Sequence, residues 1–122
     1  MPFRRFFKRF AVDADEQRAQ QIRAWAETVP DVTPIGDAEP RSVARIAGVV
    51  QALRVRPREG VQAIEAIITD GSGTVTAVWL GRRSVPGLSL GSKLILEGRL
   101  GGDRARLHVM NPQFEFAPSE EH

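Results

Sequence analysis

Residues 61–80 read Val61-Gln62-Ala63-Ile64-Glu65-Ala66-Ile67-Ile68-Thr69-Asp70-Gly71-Ser72-Gly73-Thr74-Val75-Thr76-Ala77-Val78-Trp79-Leu80. Two runs rich in Val, Ile, Thr and Ala flank Asp70-Gly71-Ser72-Gly73, a strong hairpin signal. With Gly71 and Ser72 at the tip, Ile68 faces Val75, Ala66 faces Ala77 and Ile64 faces Trp79. That face is wholly apolar. The opposite face pairs Thr69 with Thr74, Ile67 with Thr76 and Glu65 with Val78, a composition that suits an exterior. A slip of one residue would exchange the faces and bury Glu65, so this register is favoured.

The same period of two extends in both directions. Upstream, Ser42 to Arg56 is too long for one flat strand, and its apolar phase slips near Gly48. Ile46 belongs to the even set, whereas Val49, Leu53 and Val55 belong to the odd set. Glycine at a phase slip predicts a bulge or a sharp coil, which lets one strand serve both sides of a small barrel. Pro57-Arg58-Glu59-Gly60 is the turn into the strand Val61–Thr69. Downstream of Thr74–Leu80, a turn-rich connection runs from Gly81 to Gly91 and contains Pro86-Gly87. A fourth strand, Lys93–Arg99, leads to a tight Gly101-Gly102-Asp103 turn. The fifth, Arg106–Met110, resumes through Phe114 and Phe116 after Asn111-Pro112. Five strands with glycine at each corner predict closure into a barrel rather than an open sheet.

Ahead of the barrel, Asp13 and Glu16 form a capping-box-like start. Ala19, Ile22, Ala26 and Val29 mark one helical face with Trp25 beside it, and Pro30 stops the helix. The expectation is a helix over about 14–28 and a breaker-rich linker over 30–40. Earlier still, Phe3, Phe6, Phe7 and Phe10 follow i, i+3, i+4, i+7 spacing, opposed by Arg4, Arg5, Lys8 and Arg9. This basic amphipathic segment has several readings: docking on the protein's own barrel or helix, capture of a protein partner, contact with nucleic acid, or peripheral attachment to a membrane surface. The organisation expected is therefore 1–40 as helical and linking segments, 41–116 as the barrel, and 117–122 as a flexible tail.

At 122 residues the chain suits a single domain, with about 150 residues per domain as the guide. Cysteine is absent, which excludes disulfides and thiolate metal sites and fits a reducing cytoplasm. The basic amino terminus is not followed by an apolar run of the kind a secretory signal needs. No stretch approaches the ~20 apolar residues that span a bilayer. A cytoplasmic location is the expectation.

Charge is unevenly distributed. Residues 1–40 carry six basic and seven acidic side chains, residues 41–116 eleven basic and six acidic, and the tail two acidic. A net positive barrel with weakly acidic ends points to an anionic partner, with ordinary solubilising surface as the plainer reading.

The order of these features resembles the OB domain that forms the wedge module of RecG-type helicases. Val43-Ala44-Arg45-Ile46-Ala47-Gly48-Val49-Val50, Asp70-Gly71-Ser72-Gly73, Gly91-Ser92-Lys93-Leu94-Ile95-Leu96-Glu97-Gly98 and Met110-Asn111-Pro112-Gln113-Phe114-Glu115 carry the likeness. It is similar still more closely to short stand-alone OB-fold proteins of high-GC Gram-positive bacteria, on Val55-Arg56-Pro57-Arg58, Val78-Trp79-Leu80-Gly81-Arg82-Arg83 and a helix before the barrel. The resemblance spans 41–116, more weakly the helix, and implies a five-stranded Greek-key OB barrel that binds nucleic acid. A helicase motor is not implied, because no Gly-x-x-x-x-Gly-Lys-Ser/Thr phosphate cradle occurs.

Catalysis finds no support among the residues. His108 lies in the last strand and His122 at the end, with neither a nucleophile nor an orienting group for a base. Glu65, Asp70, Glu97 and Asp103 are scattered, and one usable histidine without cysteine cannot close a zinc site. No cofactor is expected. Binding has better candidates, since an OB ligand crosses strands two and three between the loops joining strands one to two and four to five. Arg54, Arg56 and Arg58 belong to the first loop, Arg104 and Arg106 to the second, and Arg82 and Arg83 follow strand three. Together they predict a phosphate-contacting rim for single-stranded or branched DNA, with RNA open. Trp79 is either a core residue or a stacking platform, and the favoured register turns it inward. A protein-interaction module using the barrel or the Phe-rich segment is the alternative.

Overall fold

The computed structural model describes the backbone of residues 2–118 and the side chains of residues 14–118. The side chains of Phe3, Phe6, Phe7 and Phe10, and residues 119–122 of the expected tail, lie outside the described residues.

The chain runs α1 (Pro2–Glu27), a single 3-10 turn (Ile35–Asp37), β1 (Val43–Arg58), β2 (Val61–Thr69), β3 (Thr74–Leu80), β4 (Lys93–Asp103), β5 (Arg106–Met110) and β6 (Gln113–Phe116). The first five strands close a ring in the order β1-β2-β3-β5-β4, sealed by β1 against β4, with β6 added along β4. All neighbours are antiparallel except β3 and β5. That pattern is the OB-fold barrel. It is preceded by a helix.

β1 is the strand that makes closure possible. Its first half, Val43–Val49, pairs with β4, and its second half, Val49–Arg58, pairs with β2. The slip in apolar phase falls at Gln51 rather than at Gly48, because the register shifts between Val50 and Ala52 and leaves one residue extra. Gly48 meets a different need. A Cβ there would lie 2.4 Å from Ile68 Cγ2, so the strand can cross this close to β2 only without a side chain.

The β2–β3 register matches the expected one pair for pair, from Thr69 with Thr74 to Ile64 with Trp79. Ile64, Ala66, Ile68, Val75, Ala77 and Trp79 all face the core with Ile46, Val50, Leu94, Leu96, Leu100 and Val109. Two departures concern turns. The tight turn after β4 falls at Arg104-Ala105, and Gly101 and Gly102 belong to the strand, paired with His108 and Leu107. Asp103 fixes that turn by accepting the Ala105 and Arg106 N–H groups at 2.9 and 3.0 Å. At the other hairpin, β1 continues through Pro57 and Arg58, and the turn is Glu59-Gly60 with φ of 52° and 79°. Two positive φ values give the twist that matches a two-residue hairpin.

α1 is one continuous helix that begins with Pro2, a residue favoured in a first turn. The Asp13–Glu16 run therefore lies inside it rather than at its start, since no breaker interrupts residues 3–27. Its C-terminal part packs on the barrel wall, where Ala26 joins Ala47 and Ile95, flanked by Trp25, Val29 and Val32. Within the stretch 30–40, Ile35 and Ala38 are buried in the barrel core. None of the described helices is long and apolar enough to cross a membrane.

Candidate nucleic-acid interface

Residues alternate in and out along a strand, so every second residue of β1, β2, β3 and β5 points away from the core. On β1 these include Arg54, Arg56 and Arg58; on β2, Glu65 and Ile67; on β3, Thr74 and Thr76; on β5, Arg106 and His108. All nine line one open groove of about 480 Å³, bounded by the two hairpins on either side. The ring topology brings them together, since β5 reaches β3 only through the parallel pairing.

Glu65, expected on the exterior face, is instead buried at the floor of the groove. Register places it opposite Arg54 across the β1–β2 ladder. Arg54 Nε stands 3.2 Å from its Oε1, Arg58 Nη1 3.4 Å from its Oε2, and Arg56 Nη1 4.0 Å from Oε1. The carboxylate is only 8% exposed, whereas the three arginine side chains are 51%, 55% and 40% exposed. One carboxylate thus holds three guanidiniums by their inner edges and leaves their outer donors to solvent. With Arg106, the groove has four cations and a single anion among its lining residues. A guanidinium offers five N–H donors in a planar fork, so an ion pair on one edge still leaves donors for a phosphate on the other.

The expected rim residues separate in space. Arg54, Arg56, Arg58 and Arg106 share the groove. Arg104 is exposed at the tip of the β4–β5 hairpin and turns to an ion pair with Glu39. Arg82 and Arg83 are exposed on the connection after β3 and do not line the groove. Trp79 is 4% exposed and sits in the core. Its ring meets Phe114 edge-on at 5.2 Å, and its indole N–H donates to the Pro112 carbonyl at 3.4 Å.

Sequence reasoning does not single out Glu65 and His108 as groove residues. For Glu65 a signal exists: counting back from a Glu59-Gly60 turn pairs Arg54 with Glu65 directly. For His108 the signal needs the parallel β3–β5 pairing, which no local pattern announces. A second surface hollow, about 610 Å³, has the opposite character: Asp31 and Glu97 line it with one cation, Arg45. Arg45 is itself 3.9 Å from both Glu97 and Glu115, so this face suits a polyanion poorly. Among the described residues no cluster of three or more His, Asp or Glu could hold a metal ion.

No protein-family model matches the sequence, and no curated protein matches significantly. Solved structures do. A solution NMR structure of a replication factor A related protein from Methanobacterium thermoautotrophicum superposes with a TM-score of 0.57 at 18% identity, covering 75% of this chain and 94% of that one. At such identity the likeness is one of fold.

Proposed function

We propose that this protein binds nucleic acid without catalysis, with single-stranded or branched DNA as its ligand and Arg54, Arg56, Arg58 and Arg106 as its phosphate contacts. The observation that carries the reading is the gathering of these four guanidiniums around one open groove on the β1-β2-β3-β5 face. The fold it shares with a replication factor A related protein supports the same direction. A flexible single strand can follow a curved barrel face and lay successive phosphates against half-exposed arginines, an electrostatic funnel that is tolerant of sequence.

Fluorescence anisotropy with labelled oligonucleotides across a salt series tests this. Each phosphate contact to a single strand contributes about 0.7 to the slope of log affinity against log salt. Four cations predict a slope of about −2 to −3. Arg56→Ala with Arg58→Ala should flatten it and weaken binding evenly across sequences. A flat slope for the wild type, or no binding at low salt, overturns the reading in favour of a protein-docking barrel. Duplex, fork and RNA versions of the probe rank the ligands.

A further inference from the structure

Beyond the rows of Arg56 and Arg58, three adjacent rows of outward residues cross the groove. The first contains Arg54 and Glu65, the third Thr74 on β3 and, one step past the paired residues, Arg106 on β5 with its β4 partner Asp103. Between them runs a row without arginine or carboxylate, Ile67, Thr76, His108 and Gly101, each the cross-strand partner of the next. Rows two residues apart along a strand are separated by about 7 Å. Arginine-bearing edges around a middle row without arginine or carboxylate match a strand whose phosphates lie at the sides and whose bases face the floor.

That middle row contains one aromatic ring. His108 is half-buried, and its position against β4 depends on two glycines. A Cβ at Gly101 would fall 2.5 Å from Nε2 and 3.1 Å from both Cδ2 and Cε1, and one at Gly102 3.2 Å from Nδ1. The imidazole therefore fills the space that a side chain at 101 would take, pressed on bare main chain, and it lines the groove. We propose that His108 is the base-contacting platform of this interface, stacking one base of a bound single strand, and that Gly101 is the positioning residue that makes room for it. The proposal rests on the nucleic-acid reading above and assigns the side of the ligand that reading leaves unassigned.

The test compares an oligothymidylate with an abasic deoxyribose-phosphate oligomer of equal length, each labelled for anisotropy. A base that stacks on a ring gains on the scale of ~1–3 kcal/mol, which for a small imidazole corresponds to a loss of roughly five- to tenfold on removal. His108→Ala should show that loss with oligothymidylate, no change with the abasic oligomer, and the wild-type salt slope. His108→Phe should restore binding. Gly101→Ala, whose backbone φ is ordinary, should reproduce the His108→Ala loss by displacing the ring. Equal weakening on both oligomers, with a slope smaller by about 0.7, would make the imidazole a phosphate contact and overturn the proposal. Unchanged affinity in both histidine variants overturns it too. Wild-type protein that binds neither oligomer ends the nucleic-acid reading and this proposal together, and that result is distinguishable because it precedes any substitution.

Discussion

Asp70 and Glu65 are the two buried charged residues among those described, and both meet arginine, yet their surroundings differ. Asp70, 1% exposed, accepts main-chain N–H groups from Ile35 at 2.8 Å, Ser72 at 2.9 Å and Gly73 at 3.2 Å, and the Ser72 hydroxyl at 2.6 Å. Arg23 of α1 adds an ion pair at 3.0 Å, outside hydrogen-bonding angles. Three elements meet on that carboxylate: the helix, the 3-10 turn and the β2–β3 hairpin. Among the described residues the Glu65 carboxylate receives no main-chain donor, and its polar partners are guanidiniums that remain half-exposed. A carboxylate satisfied by main chain locks elements together, because its donors cannot leave without unfolding. One satisfied by long, exposed side chains organises a surface that stays free to exchange partners.

Substitutions at the two sites should therefore separate stability from binding. The largest effect is expected from Asp70→Ala, which leaves three N–H groups and a mostly buried guanidinium without their acceptor. Urea denaturation should show a loss of about 3 kcal/mol or more, on the scale of a broken buried pair. A loss below about 1 kcal/mol would mean that water replaces the carboxylate and that the hub is not what seats α1. Next comes Gly71→Ala. Gly71 has φ of +86°, and a Cβ there would lie 2.5 Å from the Ala19 carbonyl oxygen of α1. Left-handed backbone disfavours alanine by about 1–2 kcal/mol, and the clash adds to it, so thermal unfolding should begin at a lower temperature. Oligonucleotide affinity of the folded fraction should not move in either variant.

Glu65→Gln should behave in the reverse manner. Its guanidinium partners keep their solvent contact, so stability is expected to stay within about 1 kcal/mol of wild type. Removal of one negative charge from the groove should raise oligonucleotide affinity at low salt by about two- to fivefold, the Coulomb scale for one charge close to a phosphate in water. Anisotropy measures it. Weaker binding instead would show that holding the three guanidiniums in place matters more than the charge the carboxylate cancels.

Much of this architecture is legible in order along the chain. The β2–β3 register, the five strands and the inward turn of Trp79 follow from alternation and from one turn signal, both of which are local. The bulge lies three residues beyond the glycine that suggests it, because Gly48 and Gln51 divide two roles between them. Gly48 lets β1 cross close to β2, and Gln51 changes the strand's phase. The turn after β4 comes later than its glycines imply, since paired glycines suggest a bend wherever they occur. In the fold, Gly101 clears space for His108 instead.

What the sequence determined alone is which residues share a face, since a period of two is a property of neighbours, and that the barrel region holds a surplus of arginine. Which of those arginines act together was decided only by the tertiary structure. Arg54, Arg56 and Arg58 converge on Glu65 through a ladder register, Arg106 joins them through a parallel pairing of β3 with β5, and Arg104 is drawn off to Glu39. Each of these depends on where distant strands meet when a curved sheet closes, and no local pattern of residues contains that distance.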